Sequence, residues 1–552
     1  MQIRNRTCAW LASRENLLLL AIVLVHLVPI WAFKYFPSQD GPTHIENAKI
    51  IFDYFRPSQI LLRQYYQLNF SLEPTWFMHS ILGSLLSVLP VFLAEKIFLS
   101  GYVILLPLSI RYSLGSIRKD SGFLTLLMFP FIYNYPFHMG FYSFSYSLPV
   151  FFFFLGYWIR HRWERTAGNT FKLALLSLLL YLCHIVSWVM AYAAMILLTV
   201  WLMLFDLAQE KHGPSFEFRA LSKAFRKEVL LFVLAFLPTI VLATIFLFQQ
   251  GFDSPEIGVK LSFYRLLKDL MGIESLVSFQ EEESLCSAGL GVLFAALFLA
   301  LAAGKARRRR LDRWDGLLAV VLVYLLIYFF APNALSGGSF ITARLILYPF
   351  FALILWFGAR SYAGGVRRGI GLAAIIVTLT SLGLHASKYS ELNGYLAEYL
   401  SGMDLIQSDT TLLPLAFDSR GHRPDGKLLS LKVRPFLHAA GHIAARRQVI
   451  EFANYEAGAY SYFPVRFRSN LNPYVHIGTK ERSIVWEPPR VDFVTYAGRT
   501  GGRVDYVLVW GVREHQRNQE ATRSVYQQIK ESYDLIYRSP RTGLMELYKR
   551  KG

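Results

Sequence analysis

FKLALLSLLLYLCHIVSWVMAYAAMILLTVWLMLF, residues 171–205, decides the fold class of this chain. The run is far longer than the roughly 20 apolar residues that one helix needs to cross a bilayer. Its polar interruption at His184 and Ser187 lies near the middle, where a tight pair of helices would turn. Backbone N–H and C=O groups in hydrocarbon must bond one another, so the stretch predicts two membrane helices joined by an outward-facing turn.

Long apolar runs also occur in the rest of the chain, as far as about residue 385. The 552 residues are 54% hydrophobic, 16% aromatic and only 17% charged, which is too apolar for a soluble protein of this length. We therefore predict a polytopic α-helical membrane protein with about eleven spans in residues 1–385. The predicted spans are 16–34, 96–111, 122–136, 141–158, 171–184, 186–205, 229–248, 287–303, 315–331, 343–358 and 369–385.

Basic residues between the spans set the orientation. The Lys- and Arg-rich loops all fall on one side of the membrane if the N-terminus is cytoplasmic, as is typical of inner-membrane proteins. The basic N-terminus continues into an apolar run without a small-residue cleavage signal, which predicts a first helix that is not removed. These loops are residues 111–119, 160–165, 211–227, 305–313 and 360–368.

Charge and cysteine content exclude several classes of function. The net charge of +19 is distributed over the short clusters between apolar runs, so we expect no nucleic-acid partner. Cys8, Cys183 and Cys286 lie far apart, which predicts neither a disulfide framework nor a thiolate metal site. No phosphate-binding loop, nucleophile triad or metal signature occurs in residues 386–552.

Residues 76–93 are apolar enough to span the membrane, yet a complete crossing there would place every later basic loop outside. We therefore predict a re-entrant or partly embedded element. After residue 385 the sequence becomes mixed and polar, with strand-like runs at 412–417 and 504–509 and helix-like runs at 434–450 and 520–533. These patterns predict an extracytoplasmic α/β domain over residues 386–552 on the same side as the first outer loop, residues 35–75.

The densest group of candidate functional residues is FPSQDGPTHIENAKIIFDYF, residues 36–55, directly after the first span. A helix that starts within it places His44 and Asn47 along one stripe. Asp40 then lies ahead of the helix, near the positive N-terminal end, where a carboxylate stays ionised and can accept a proton or hold a cation. The structural alternative is that Asp40 caps the helix and His44 is a surface residue.

This loop resembles that of the GT-C superfamily of polyprenyl-phosphate-sugar-dependent glycosyltransferases. Many members read Asp-Glu-x-x-Tyr before an alanine, whereas here Gly41 follows Asp40 and His44 takes the aromatic position, as in an uncharacterised bacterial branch with Asp-Gly-Pro-x-His. The likeness extends to the enlarged first outer loop, the multi-helix core and the soluble domain after the last span. The motif itself is short, while the topological likeness covers most of the chain.

The resemblance implies an inverting transferase that moves a sugar from a polyprenyl-phosphate donor to a lipid, glycan or protein acceptor. Asp40 would be the general base that deprotonates the acceptor hydroxyl, and His44 would orient it or contact the donor phosphate. Gly41 removes the second carboxylate, which weakens the argument for a divalent cation. The sequence therefore leaves open whether an Mg or Mn ion binds here, and the resemblance requires no other cofactor.

A charged lipid-phosphate donor needs a cation near the bilayer surface, and Arg344 fits that need. It follows the short segment 336–339 at the entry to a predicted span. Late-helix arginines bind donor phosphate in GT-C enzymes, while the alternative is an interfacial arginine that snorkels to water.

Further candidates lie in the outer turn 135–149, at the turn near His184 and at the end of the first outer loop. Aromatic and hydroxyl groups there suit sugar stacking and hydrogen bonding, although membrane-interface anchoring and helix–helix hydrogen bonds explain the same residues. The predicted set comprises Asp40 and His44 as catalytic residues, Arg344, His138 and His184 as donor- or phosphate-binding residues, and Glu46, Asn47, Glu73, Trp76 and Tyr142 as substrate-lining residues.

Residues 454–456 and 460–463, together with Arg446 and Arg447, indicate that the soluble domain recognises the acceptor. Two other functions remain open at this point. A transporter or flippase of lipid-linked glycans would show related halves and ionisable groups at mid-membrane depth, and a non-catalytic assembly subunit would need only its outer surface.

Overall fold

The structure is a computed structural model that describes residues 14–162, 166–210, 233, 235–249, 260–335, 338–460 and 462–552. Part of the predicted span 229–248 lies outside the described residues. The segment 336–339, which precedes Arg344, is described only at its last two positions.

Long helices form the first three quarters of the described chain. Seven of them are long and apolar enough to cross a membrane by length and composition, and each overlaps one of the predicted spans. The helical pair predicted in residues 171–205 is present, because one helix ends at Cys183, the next begins at Ile185, and His184 is extended between them. All α-helices described in this part of the chain, long and short, are α1 Arg14–Ala32, α2 Gly41–Asp53, α3 Ile60–Tyr65, α4 Trp76–Leu86, α5 Val91–Ile117, α6 Tyr135–His138, α7 Tyr142–His161, α8 Ala167–Cys183, α9 Ile185–Glu210, α10 Ala235–Gln249, α11 Phe263–Met271, α12 Glu283–Arg308, α13 Gly316–Phe330, α14 Ile341–Leu345, α15 Leu347–Gly358 and α16 Gly364–Tyr399.

Two apolar segments of the sequence do not form a membrane-length helix of their own. The predicted span 122–136 is a buried 3-10 helix, Lys119–Phe131, followed by the single turn α6. Residues 76–93 contain α4, whose 11 residues are too few to cross a bilayer; Pro90 then directly precedes the 27-residue α5. The total of about eleven spans stays a prediction.

The C-terminal region, residues 386–552, contains the predicted α/β structure. Its five-stranded sheet has the order β3-β2-β5-β7-β6, with β2 parallel to β3 and β5, and β7 antiparallel to β5 and β6. The predicted helix 434–450 is shorter than expected and begins only at Gly441, after Pro435. The elements are β2 Thr411–Ala416, α17 Gly441–Arg447, β3 Ile450–Glu451, α18 Tyr455–Ala459, β4 Val465–Phe467, α19 Pro473–His476, α20 Tyr496–Thr500, β5 Tyr506–Trp510, α21 Glu514–Arg517, α22 Glu520–Ser532, β6 Tyr533–Arg538 and β7 Met545–Arg550.

The first loop, residues 35–75, is built into the C-terminal region. Its strand β1, Tyr66–Leu68, pairs antiparallel with β4, and its helix α2 packs against α17. Buried side chains of the loop, including Ile50 and Tyr65, share one apolar cluster with Ile450 and Phe452. The sequence did not predict this shared core. The division at residue 385 stays a prediction, since α16 continues unbroken to Tyr399.

We expect Gly441→Ala to separate α17 from α2. A Cβ at this glycine would lie 2.6 Å from the carbonyl carbon and oxygen of Pro42 and 2.9 Å from the Thr43 nitrogen, so backbone must move. Overpacking of this kind costs about 1–3 kcal/mol. The thermal unfolding midpoint in detergent should fall, whereas Gly498→Ala, whose Cβ would meet nothing within 4 Å, should leave it unchanged or higher. Equal midpoints for the two variants would contradict this packing.

Candidate functional site

A cavity of about 520 Å³ lies where the membrane helices, the first loop and the C-terminal region meet. Part of its wall is apolar and consists of side chains from the membrane helices, such as Val189, Met190 and Leu345. Five of the predicted site residues line it: Asp40, His44, Tyr142, His184 and Arg344. The C-terminal region contributes further lining residues, among them His438, Tyr455, Tyr460, Tyr462 and Arg482.

Asp40 is held at this cavity by its backbone. Its N–H donates to the Met139 carbonyl at 3.0 Å, and its carbonyl accepts from the His44 N–H at 3.1 Å as α2 begins. Gly140 presses on this turn with φ +85°, and a Cβ there would lie 2.9 Å from the Asp40 nitrogen. The Asp40 carboxylate makes no capping hydrogen bond to α2, so the helix-cap interpretation does not account for it.

Burial sets the protonation of Asp40. The loss of water raises its pKa to about 6, although His44 and the Gln39 amide, which donates at 3.0 Å, act in the opposite direction. His438 Nε2 lies 3.8 Å from the same carboxylate. A carboxylate whose pKa is close to neutral is well matched to accept a proton from a substrate hydroxyl.

Arg344 faces the same cavity from α14. Its guanidinium donates to the Ser339 carbonyl and lies over the rings of Phe141 and Phe144, with 4.1 Å and 5.7 Å to the centroids. Among the described residues no carboxylate lies within ion-pair distance of it, and its buried Nε has no hydrogen-bond partner. The group keeps the capacity to bind an anion.

His138, predicted to bind donor phosphate, does not line the cavity. Its Nδ1 lies 2.8 Å from Ser278 Oγ, and its Nε2 contacts the Tyr389 hydroxyl, so both ring nitrogens are used in packing. Its backbone carbonyl accepts from the Gln39 N–H at 3.1 Å. The structure therefore places His138 in the turn beneath Asp40 and not in the cavity lining, where a donor-binding residue was predicted.

Four residues predicted to line the substrate site lie outside the cavity lining. Asn47 donates to Asn454 at 3.2 Å and to Glu456 at 2.6 Å, because the C-terminal region covers that face of α2. Glu46 lies against Glu451 where α2 packs on the C-terminal region. Burial raises the pKa of Glu46 well above its usual value and the pKa of Glu451 to about 7.

The other two lie at the end of the first loop. Glu73 accepts from Asn69 at 3.2 Å and Ser71 at 2.6 Å, and the Trp76 indole donates to the Ser71 carbonyl at 2.6 Å. Both residues close a turn, and their neighbours Pro74 and Thr75 reach the cavity instead.

His44 lines the cavity and also contacts a buried cluster with His79 and Glu456. Burial alone would lower the pKa of the His44 imidazole, but the Glu456 carboxylate outweighs it and raises that pKa. The histidines in turn hold the pKa of Glu456 well below its usual value, against the effect of its burial. Among the described residues this is the group whose ligand atoms could hold a metal ion.

The sequence did not point to His79, His438 or Arg482. Residues 454–456 and 460–463 had been predicted to recognise an acceptor, and Tyr455, Tyr460 and Tyr462 do line the cavity. Arg446 and Arg447, predicted with them, lie outside its lining: Arg446 stacks on Phe92, and Arg447 donates to the Ile406 carbonyl. An isolated histidine or arginine in a polar domain gives no sequence signal that separates it from a surface residue.

Together, the helical membrane part, the first loop and the C-terminal α/β region form a GT-C-like fold.

The solved structure of ArnT from Cupriavidus metallidurans bound to undecaprenyl phosphate matches 97% of this chain and 98% of its own, at a TM-score of 0.54 and 11% identity. The apo structure of the same protein matches with the same coverage and identity at a TM-score of 0.48. At this identity the likeness concerns the fold alone. No family profile and no curated protein sequence matches the chain.

Proposed function

We propose that this protein is an inverting glycosyltransferase that moves one sugar from a polyprenyl-phosphate donor to a lipid, glycan or protein acceptor. One observation carries the proposal: Asp40 and Arg344 open onto the same cavity, one as an acid–base group and the other as an anion-binding group. The ArnT structure of similar fold contains undecaprenyl phosphate, a ligand of the proposed donor class.

The donor's two chemical parts match two parts of the cavity. Apolar side chains of α9, α13 and α14, including Met190, Ile327 and Leu345, suit an isoprenoid chain that enters from lipid. Arg344 is positioned to hold the phosphate through charge-assisted hydrogen bonds. His184 lies in the same wall, with its ring 5.3 Å from that of Phe144, and is a second neighbour of the donor.

The transfer is a single displacement. The Asp40 carboxylate takes the proton of the acceptor hydroxyl while that oxygen forms a bond to the anomeric carbon. The bond from the anomeric carbon to the phosphate oxygen breaks on the opposite side, which inverts the configuration. The electron pair leaves with polyprenyl phosphate, whose additional negative charge Arg344 stabilises. Tyr142, Tyr455 and Tyr462 offer rings and hydroxyls to the sugar.

We place the reaction on the outer face of the bacterial inner membrane. The C-terminal region and the first loop share one core, so they lie on the same side of the membrane as Asp40. The basic loops predict that this side is opposite the cytoplasm.

Glycan analysis of a deletion strain tests the proposal. The strain should lose one glycosylated lipid, glycan or protein and accumulate its unmodified acceptor, and the wild-type gene should restore the product. The purified protein, incubated with polyprenyl-phosphate sugars and the accumulated acceptor, should release polyprenyl phosphate and product in equal amounts by mass spectrometry. If glycans are lost in the strain but the purified protein converts nothing, transport or assembly is the better explanation.

A further inference from the structure

We propose that His44, His79 and Glu456 form a binding site for a divalent transition-metal ion, best matched by zinc, that joins the first loop to the C-terminal region. The site adjoins the cavity, whose wall includes His44, and the inference does not depend on the glycosyltransferase reaction. Each ligand comes from a different helix: His44 from α2, His79 from α4 and Glu456 from α18.

The three side chains already converge. One ligand atom from each lies within 4.8 Å of the other two. His79 Nε2 is 3.3 Å from Glu456 Oε2, and His44 Nδ1 touches Glu456 Oε1. Ligand atoms on one tetrahedral zinc ion lie about 3.3 Å apart, given zinc–ligand bonds of about 2.0–2.1 Å. Small side-chain rotations would therefore bring all three atoms onto one ion.

Hydrogen-bond partners around the cluster orient its side chains, as the partners of metal-ligating residues do. His79 Nδ1 lies 3.2 Å from the Thr75 carbonyl. A backbone carbonyl on one ring nitrogen fixes the N–H there and leaves the other nitrogen's lone pair available. Asn47 donates to the Glu456 carboxylate at 2.6 Å and holds it in place.

The chemistry of the ligands favours zinc over Mg or Mn, which the sequence left open. Two imidazoles and one carboxylate suit zinc, whereas magnesium prefers oxygen ligands and retains its waters. All three side chains are buried, and His44 and Glu456 lie 412 positions apart in the chain. A bound ion would tie α2, which carries Asp40 at its start, to the region that covers it.

Metal content of the full-length protein tests the proposal. The chain should be purified in detergent without a polyhistidine tag, stripped with a chelator, equilibrated with buffered Zn²⁺ and measured by inductively coupled plasma mass spectrometry. Wild type should hold about one zinc per chain, and His79→Gln should lose at least about nine-tenths of it. His476→Gln is the matched control, because that ring contacts the Ser469 carbonyl outside the cluster.

Thermal unfolding provides a readout that does not depend on activity. Zn²⁺ should raise the unfolding midpoint of stripped wild type and of His476→Gln, because a ligand that binds only the folded state stabilises it. It should not raise that of His79→Gln, and Mg²⁺ should have no effect on any of them. If His79→Gln does not fold, Glu456→Gln takes its place. Wild type without zinc, or a variant that binds as wild type does, would overturn the site and leave a hydrogen-bonded His–Glu–His cluster.

Discussion

Asp40→Asn is expected to lower the turnover number by about 10²–10⁴-fold while the affinity for the polyprenyl-phosphate donor changes little. The side-chain amide has the shape of the carboxylate, and the backbone hydrogen bonds of residue 40 with Met139 and His44 do not involve the side chain. The amide cannot accept the acceptor's proton. Turnover should be measured by release of polyprenyl phosphate, and donor affinity by equilibrium binding to the same purified protein.

The pH dependence of the wild-type rate gives a second measure of the same group. Because burial raises the pKa of Asp40 to about 6, the ionised base is scarce below that pH and abundant above it. The rate constant kcat/KM should therefore rise with pH through about 6 and then level off. A group that must be protonated to act would give the opposite slope.

Asp53→Asn serves as the matched control for this prediction. Asp53 is a buried aspartate at the other end of α2, where it pairs with Lys49 at 2.7 Å and Arg56 at 3.2 Å, outside the cavity lining. Its replacement should cost stability rather than turnover. An Asp40→Asn protein that works at the wild-type rate would remove the catalytic proposal and favour transport or an assembly role.

The sequence predicted those features that depend on local pattern. Hydropathy predicted the helical pair that turns at His184, and the mixed polar sequence after residue 385 predicted the α/β region. Both predictions rest on the periods of helix and strand, which are short-range properties of the sequence. The motif after the first span located Asp40 at the start of α2. Arg344 was predicted because a lipid phosphate needs a cation near the bilayer surface. Asp40 and Arg344 line one cavity.

The features that sequence reasoning missed depend on contacts between distant segments. Asn47 and Glu456 lie 409 positions apart, and nothing in the helical period of α2 reveals that the C-terminal region covers this face. Glu46 was therefore expected in the substrate site, although it is buried against Glu451. The same docking brings His79 to Glu456, so the metal cluster exists only in the folded arrangement.

Arg344→Gln is expected to weaken donor binding about 10- to 100-fold, because a hydrogen bond between charged groups contributes about 1.5–3 kcal/mol. Glutamine retains polar hydrogen-bonding capacity but loses the positive charge that faces the phosphate. The donor affinity of Arg344→Lys should lie between those of wild type and Arg344→Gln. Lysine keeps the charge but loses the planar group that stacks 4.1 Å above Phe141. Equilibrium binding of polyprenyl phosphate to the purified variants measures each step.

Arg446→Gln distinguishes a phosphate contact from a general effect of removing a stacked arginine. Its guanidinium lies 4.6 Å above the Phe92 ring, a geometry close to that of Arg344, but it is exposed and outside the cavity lining. Donor affinity should be unchanged in this variant. If both variants lose affinity equally, the loss reflects stacking or overall charge, and Arg344 does not bind the phosphate. If only Arg344→Gln loses it, the anion is held beside Asp40, as the displacement at the anomeric carbon requires.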